Sequence, residues 1–337
     1  MSTDLNPEGY ENLIRILHTE APLSPPGRPI DGYRSAFKRW DERASVRRMK
    51  RLSRPDSEGD ALLFPPELVP AAGHPLVTAP GEQTVRAMLG QYLYSYLNFT
   101  TWLEQDVVTP VTQLISRARL GVELPEAMLV DAFKICTDEA YHAQFSDELS
   151  RQITARTGIM PQLPEVPHFL LRLDGLQNRF PVEMRGLVRV LFTIVSETLI
   201  SSTLKDIPHD ERVHPVVREI LGDHAQDEGR HHAYFSDLLK LVWPALSRHE
   251  QALAGRLVPE LITIFLEPDH GATILALASI DLKMAEIEQV IAEAYPSATV
   301  RAGIRDASQA TVRYFTEVGA LEEPGTREAF QQYEFVA

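Results

Sequence analysis

The sequence predicts an all-α protein: a bundle of four long helices followed by additional C-terminal helices. Three observations predict it. Apolar residues recur at helical spacing from Glu82 almost to the end, and no alternating strand pattern of useful length interrupts them. The 337 residues, 44% apolar and 24% charged, suffice to bury a sizeable core. Two of the long helical stretches carry the same five-residue motif, Asp-Glu-x-x-His.

The elements follow in order. Residues 1–60 read as a flexible or wrapping segment, and 61–337 as one domain. Prolines cluster at Pro22, Pro25, Pro26 and Pro29 and again from Pro65 to Pro80. Between them lies a basic stretch, Tyr33 to Arg54. It reads as a solvated helix and loop against the main domain, or as a docking arm for an acidic redox partner. Gln83–Leu120 reads as one long helix kinked at Pro110, because proline removes a helical hydrogen bond. Pro125–Thr157 opens on proline in the first turn and closes on Gly158. A connector of about twenty residues, rich in proline (Pro161, Pro164, Pro167), leads to Pro181–Asp206 and then Pro215–Leu246. Arg248–Leu266, Ala272–Ala294 and Thr299–Leu321 are the further helices.

Composition narrows function. A net charge of −14 disfavours nucleic acid as a partner, since phosphate binding wants a basic surface. The single cysteine, Cys136, rules out a disulfide framework or a cysteine-rich metal site within the chain and reads as a packed core thiol. No apolar run approaches the ~20 residues of a membrane helix. The N-terminus lacks the basic-then-apolar pattern of a signal peptide, so a cytoplasmic location is expected. No glycine-rich phosphate loop follows a strand, so electrons for any redox chemistry must come from an external donor.

The chemistry lies in acids and histidines where a core should be. Helix two carries Asp138-Glu139-x-x-His142 and helix four Asp227-Glu228-x-x-His231. Residues three apart share a helix face, so Glu and His can serve one ion. One such motif is an ordinary surface pair; two, each led by Asp, on two long helices are a far sharper signal. The other long helices each offer one acid in apolar surroundings: Glu104 after Trp102-Leu103, and Glu197 between Ile194 and Ile200. An isolated buried carboxylate costs several kcal/mol unless protonated, paired or metal-bound. The order E, E-x-x-H, E, E-x-x-H is the ligand set of ferritin-like di-iron carboxylate proteins, which also have one long crossover. The expected fold is therefore a ferritin-like di-iron bundle, with two iron ions balancing the four carboxylates. His224 falls within about 40° of Glu228 and His231 on the helix, and reads as a third nitrogen ligand or as a donor beside one. Asp138 and Asp227 are each expected to accept the outer N–H of the histidine on the opposite motif helix. His232 faces elsewhere, and Tyr141 reads as a core phenol. The run Tyr92, Tyr94, Tyr96, Phe99, Trp102 is chiefly core, with Tyr96 and Phe99 as candidates for a substrate pocket.

These motifs, together with the approach segment Pro66-Glu-Leu-Val-Pro-Ala-Ala-Gly-His-Pro-Leu76, give a sequence that resembles the arylamine N-oxygenases over roughly Phe64 to Ala320. The resemblance implies ligands at Glu104, Glu139, His142, Glu197, His224, Glu228 and His231. It implies O2 as co-substrate and a small aryl amine taken through hydroxylamine and nitroso stages to a nitro compound; the oligomeric state stays open, a homodimer being common for such folds. Members that oxidise p-aminobenzoate are similar around Tyr96 but carry an arginine where this chain has Phe99, so a free aminobenzoate is not the expected substrate. The chloramphenicol-pathway member, whose substrate has an uncharged tail, fits better, which points to antibiotic biosynthesis. Another di-iron hydroxylase or desaturase, an iron-storage or structural bundle, and a metal-free interaction module are the alternatives.

Overall fold

A computed structural model describes residues 33–48, 61–204 and 207–337. Pro22–Pro29, Lys50–Arg54 and the end of the third long helix at Lys205-Asp206, all named above, lie outside the described residues. The long elements are α1 (Glu82–Leu103), a wider π turn (Glu104–Val108), α2 (Thr109–Ser116), α3 (Glu126–Thr157), α4 (His168–Gln177), α5 (Val182–Leu204) and α6 (Pro215–Ala245). Five more follow: α7 (Arg248–Leu266), α8 (His270–Ala278), α9 (Met284–Ala294), α10 (Ser297–Glu317) and α11 (Pro324–Gln332). Among the described residues the only β pairing is one isolated bridge, Leu62 with Val213. The architecture is the all-α, ferritin-like helical bundle.

Four rods form the bundle. The α1–α2 rod packs along α3, α5 packs along α6, and α3 meets α6 across the middle. Local chemistry sets their ends. α3 stops at Gly158, whose φ of 71° closes a left-handed C-terminal turn and returns its N–H to Thr154. The His214 side chain accepts the Val216 N–H, and Pro215 occupies the first helical position of α6. Ser247 and Glu250 form a reciprocal capping box on α7. The apolar faces then close a single core, with Leu93, Val107, Ile135, Leu191, Val195 and Leu238 fully buried.

Several elements differ from their sequence reading. The first long helix does not simply kink at Pro110. It widens one turn earlier, where the Thr109 N–H reaches back five residues to the Glu104 carbonyl, and Pro110 then sits in the first turn of α2. It ends at Ser116 because Ala118 turns left-handed (φ 54°) and Arg119 N–H closes onto Leu114. Ala272–Ala294 is two helices: Asp281 at φ 65° breaks the chain, and Glu286 caps the restart at Lys283. The proline-rich connector holds α4, which starts directly after Pro167. The last stretch runs Ser297–Glu317, and α11 follows, opened by the Glu323 side chain accepting the Thr326 N–H.

The described part of the basic stretch is not a solvated helix. It has one helical turn (Trp40–Arg43) and one 3-10 turn (Ser45–Arg47), and it buries Phe37, Trp40 and Ala44. The apolar stretch Arg248–Ala278 is two helices broken at Glu267–Asp269, and Ala254, Val258, Leu261 and Ile262 of α7 are core residues.

At one point α7 and α11 touch too closely for any side chain. A Cβ on Gly255 would collide with Thr326, itself fully buried. Gly255→Ala is expected to lower stability by about 1–3 kcal/mol through overpacking. The urea midpoint checks it; an unchanged midpoint would show that α11 moves aside freely.

Candidate metal centre

Each rod of the bundle contributes one glutamate to a common interior. Glu104 comes from the π turn, Glu139 from α3, Glu197 from α5 and Glu228 from α6, each 1% exposed. His142 and His231 follow their glutamates by three residues and His224 precedes Glu228 by four, so all three rings face the same interior and are 0–1% exposed.

The seven side chains fall into two groups whose potential donor atoms lie within 4.8 Å of one another. One group is Glu104, His142, His224 and Glu228; the other is Glu139, Glu197 and His231. Two glutamates face both groups. Glu139 places one oxygen 3.2 Å from His142 Nδ1 and the other 3.2 Å from His231 Nδ1. Glu228 Oε1 lies 3.2 Å from His231 Nδ1, 3.3 Å from His224 Nε2 and 3.4 Å from His142 Nδ1. Glu104 stands to one side, 3.1 Å from His224, and Glu197 to the other, 3.7 Å from His231.

Behind two of the histidines stand aspartates. Asp227 Oδ2 lies 3.1 Å from His142 Nε2, and Asp138 Oδ2 lies 3.4 Å from His231 Nε2. Burial works to raise the Asp227 carboxyl, but the bond to His142 and its charge outweigh that and bring it down to about 2. His224 differs: its outer nitrogen, Nδ1, faces the Tyr96 hydroxyl at 3.3 Å. Burial pushes that phenol well up, so it is neutral and accepts or donates without charge.

The donor set fits metal ions. Both oxygens of Glu104, one each of Glu139, Glu197 and Glu228, His224 Nε2 and His231 Nδ1 are buried without a hydrogen-bond partner. Such orphans are rare and costly, and here they all point into one interior. Without ions the charges crowd. Burial, then Glu228 and Glu139, hold the Glu197 carboxyl well above the usual range. Burial lowers His231, but Glu228 and Glu139 overcome it and raise the ring well above an ordinary histidine. His142 is likewise raised, against burial, by its bonds to Asp227, Glu104 and Glu139. Carboxylates and imidazoles in this proportion suit iron or manganese.

Other sequence candidates fall elsewhere. Phe99 packs edge-on to Phe169 at 4.7 Å and Phe265 at 5.5 Å between centroids. Tyr92, one turn before Tyr96, lines a cavity of about 500 Å³ with Ser95, Leu266, Tyr295 and Ile304. His232 faces Tyr314 at 2.8 Å, Tyr141 packs on Phe145, and Cys136 meets Thr112, its thiol pushed up by burial.

Sequence reading missed the residues that cover the aspartates. Trp40 Nε1–H donates to both oxygens of Asp138, at 2.8 and 2.9 Å. The Ser45 backbone N–H donates to Asp227 at 3.1 Å. Phe37 stacks on the His231 ring at 6.0 Å between centroids, 16° from parallel. The one available signal was a Phe and a Trp three residues apart inside a basic stretch.

The model of a family described as p-aminobenzoate N-oxygenase AurF matches residues 38–319. A 4-aminobenzoate N-oxygenase from Streptomyces thioluteus is similar, 22% identical over 253 residues, which cover 73% of this chain and 75% of that protein.

Proposed function

The chain belongs to the p-aminobenzoate N-oxygenase family, and from that premise we propose that it is a di-iron, O2-dependent arylamine N-oxygenase converting an aromatic amine to a nitro compound. The observation that carries this reading is the set of partnerless carboxylate and imidazole atoms converging from four helices. Glu104, His142, His224 and Glu228 would hold one iron, and Glu197 and His231 the other. Glu139 and Glu228 would serve both, since each faces histidines of both groups. When bound, the iron pair supplies the redox chemistry that activates O2.

The chain's own residues do the rest. Asp138 and Asp227 orient His231 and His142 and fix which ring nitrogen points inward. Tyr96 does the same for His224 without adding charge. Half-buried Phe99 packs on buried Phe169 and Phe265, and with Phe192 these rings form an apolar wall along one side of α1. Each oxidation of the amine nitrogen gives up two electrons, and an external donor would supply the remainder needed to reduce O2 fully.

The substrate in this reading is an aryl amine with an uncharged tail, of the kind met in chloramphenicol-type antibiotic biosynthesis. What supports it is Phe99, an apolar ring among apolar rings where a carboxylate-gripping arginine would otherwise stand. The test is product analysis after mixing reduced protein and O2 with paired amines. A neutral para-substituted aniline is expected to give nitro product at least about tenfold faster than 4-aminobenzoate, the worth of one missing charge-assisted bond. Equal or reversed rates would overturn the neutral-tail reading. No oxidation of any aryl amine would overturn the N-oxygenase itself.

A further inference from the structure

We propose that Trp40 is a positioning residue for one half of the metal centre, holding His231 through Asp138, while the Ser45 backbone N–H holds the other half through Asp227. The inference rests on the metal reading above, and it concerns residues outside the four bundle rods. Asp138 is fully buried, and its hydrogen-bond partners are the Trp40 indole N–H and His231 Nε2. Asp227 is fully buried between His142 Nε2, the Ser45 N–H and the Arg230 guanidinium. A buried carboxylate needs donors on every side to hold a single orientation. With the indole gone, Asp138 keeps one partner and can rotate, and His231 loses the anchor that aims Nδ1 inward. Phe37, from the same segment, lies flat on that ring and limits its tilt.

The two aspartates serve different groups of donors. His231 is the single histidine of the Glu139–Glu197 group, while His142 shares its group with His224. Trp40 and Ser45 therefore act on different ion sites, although they lie only five positions apart in the chain. That division distinguishes positioning from general support of the fold, because a structural role would loosen both sites together.

The test uses the full chain, freed of metal and titrated anaerobically with Co(II), and follows the paramagnetically shifted imidazole N–H signals. Wild type is expected to fill two sites. Trp40→Phe should weaken the one-histidine site by about 10- to 100-fold and leave the two-histidine site unchanged. Ser45→Pro removes the backbone N–H together with a buried hydroxyl that has no hydrogen-bond partner, at the first position of a 3-10 turn, where proline is tolerated. It should weaken the two-histidine site alone. Asp138→Asn combined with Trp40→Phe should cost little more than either change alone, since both act through one contact. Equal weakening of both sites by Trp40→Phe, no weakening at all, or fully additive losses would overturn the proposal. Should Trp40→Phe fail to fold, as judged by its urea midpoint, Ser45→Pro decides by the same criterion. A wild-type chain that takes up no Co(II) would instead overturn the metal reading, and this inference with it.

Discussion

Replacing Glu197 by leucine is expected to remove the second ion from the protein while making the ion-free chain more stable. The two effects come from one cause. Glu197 is 1% exposed, with Oε2 unpartnered, in the middle of the most apolar stretch of α5. Burial, reinforced by the nearby charges of Glu228 and Glu139, holds its carboxyl protonated well above the usual range. A neutral acid with an unsatisfied oxygen costs about 1–3 kcal/mol, and leucine fills similar space with no such debt. In chelator, the urea midpoint of Glu197→Leu should therefore rise. With metal present the same change leaves only Glu139 and His231 of the three-residue group. Iron should fall from two per chain to one, and N-oxygenation by more than about 100-fold, since losing a ligand exceeds the cost of losing a residue behind one. Two irons at full activity would remove Glu197 from the ligand set. A lowered midpoint in chelator would show that its carboxyl has a protein partner in the ion-free state.

Metal loading should release about two to three protons near neutral pH, so that affinity rises steeply with pH, by up to tenfold per proton per pH unit. The three most strongly raised groups supply most of them. His142 and His231 hold protons well above the ordinary histidine range, despite burial, because carboxylates surround them. Glu197 holds one because burial and like charges leave it no other choice. The same shifts fix the slope of stability. A histidine raised in the folded state contributes fully below its unfolded value and loses that contribution as pH rises through the folded one. A carboxyl raised in the folded state slopes the same way above its own unfolded value. The ion-free protein should thus weaken from about pH 6 upward, while the metal-loaded protein strengthens over the same range. Urea midpoints with and without chelator between about pH 6 and 9 check it, and parallel slopes would show that the ions do not displace these protons. Glu228 titrates outside this window: burial raises it, but His231 and His224 pull it well below the usual carboxylate range.

The seven side chains that meet in the core were legible because helical spacing is rigid. Once Glu139 and His142 share a turn, their meeting with Glu228 and His231 needs only that two apolar faces pack. Asp281 was not legible, because Ile280 and Leu282 preserve the helical pattern through a residue whose φ is positive. Helix α4 was hidden by the prolines that precede it, although Pro167 sits just before the helix, where proline does no harm. The contacts of Trp40 and Ser45 lay furthest out of reach. They join residues 98 and 182 positions apart, and no periodicity links a loop to the helix it covers.

The wide turn at Glu104 matters for helical phase. Each residue of an α-helix advances about 100° around the axis, and a π turn absorbs one extra residue with little change in direction. Everything upstream of Glu104 is therefore rotated relative to everything downstream by one residue's worth of angle. Tyr96 faces His224 and Ile115 faces the core only because that offset lies between them. Excising one residue from Gln105–Val108 would restore an unbroken spiral of the same composition. It would also swing the phenol away from its imidazole while α2 stayed seated on α3, so the numbering of this rod, as much as its chemistry, sets what faces the interior.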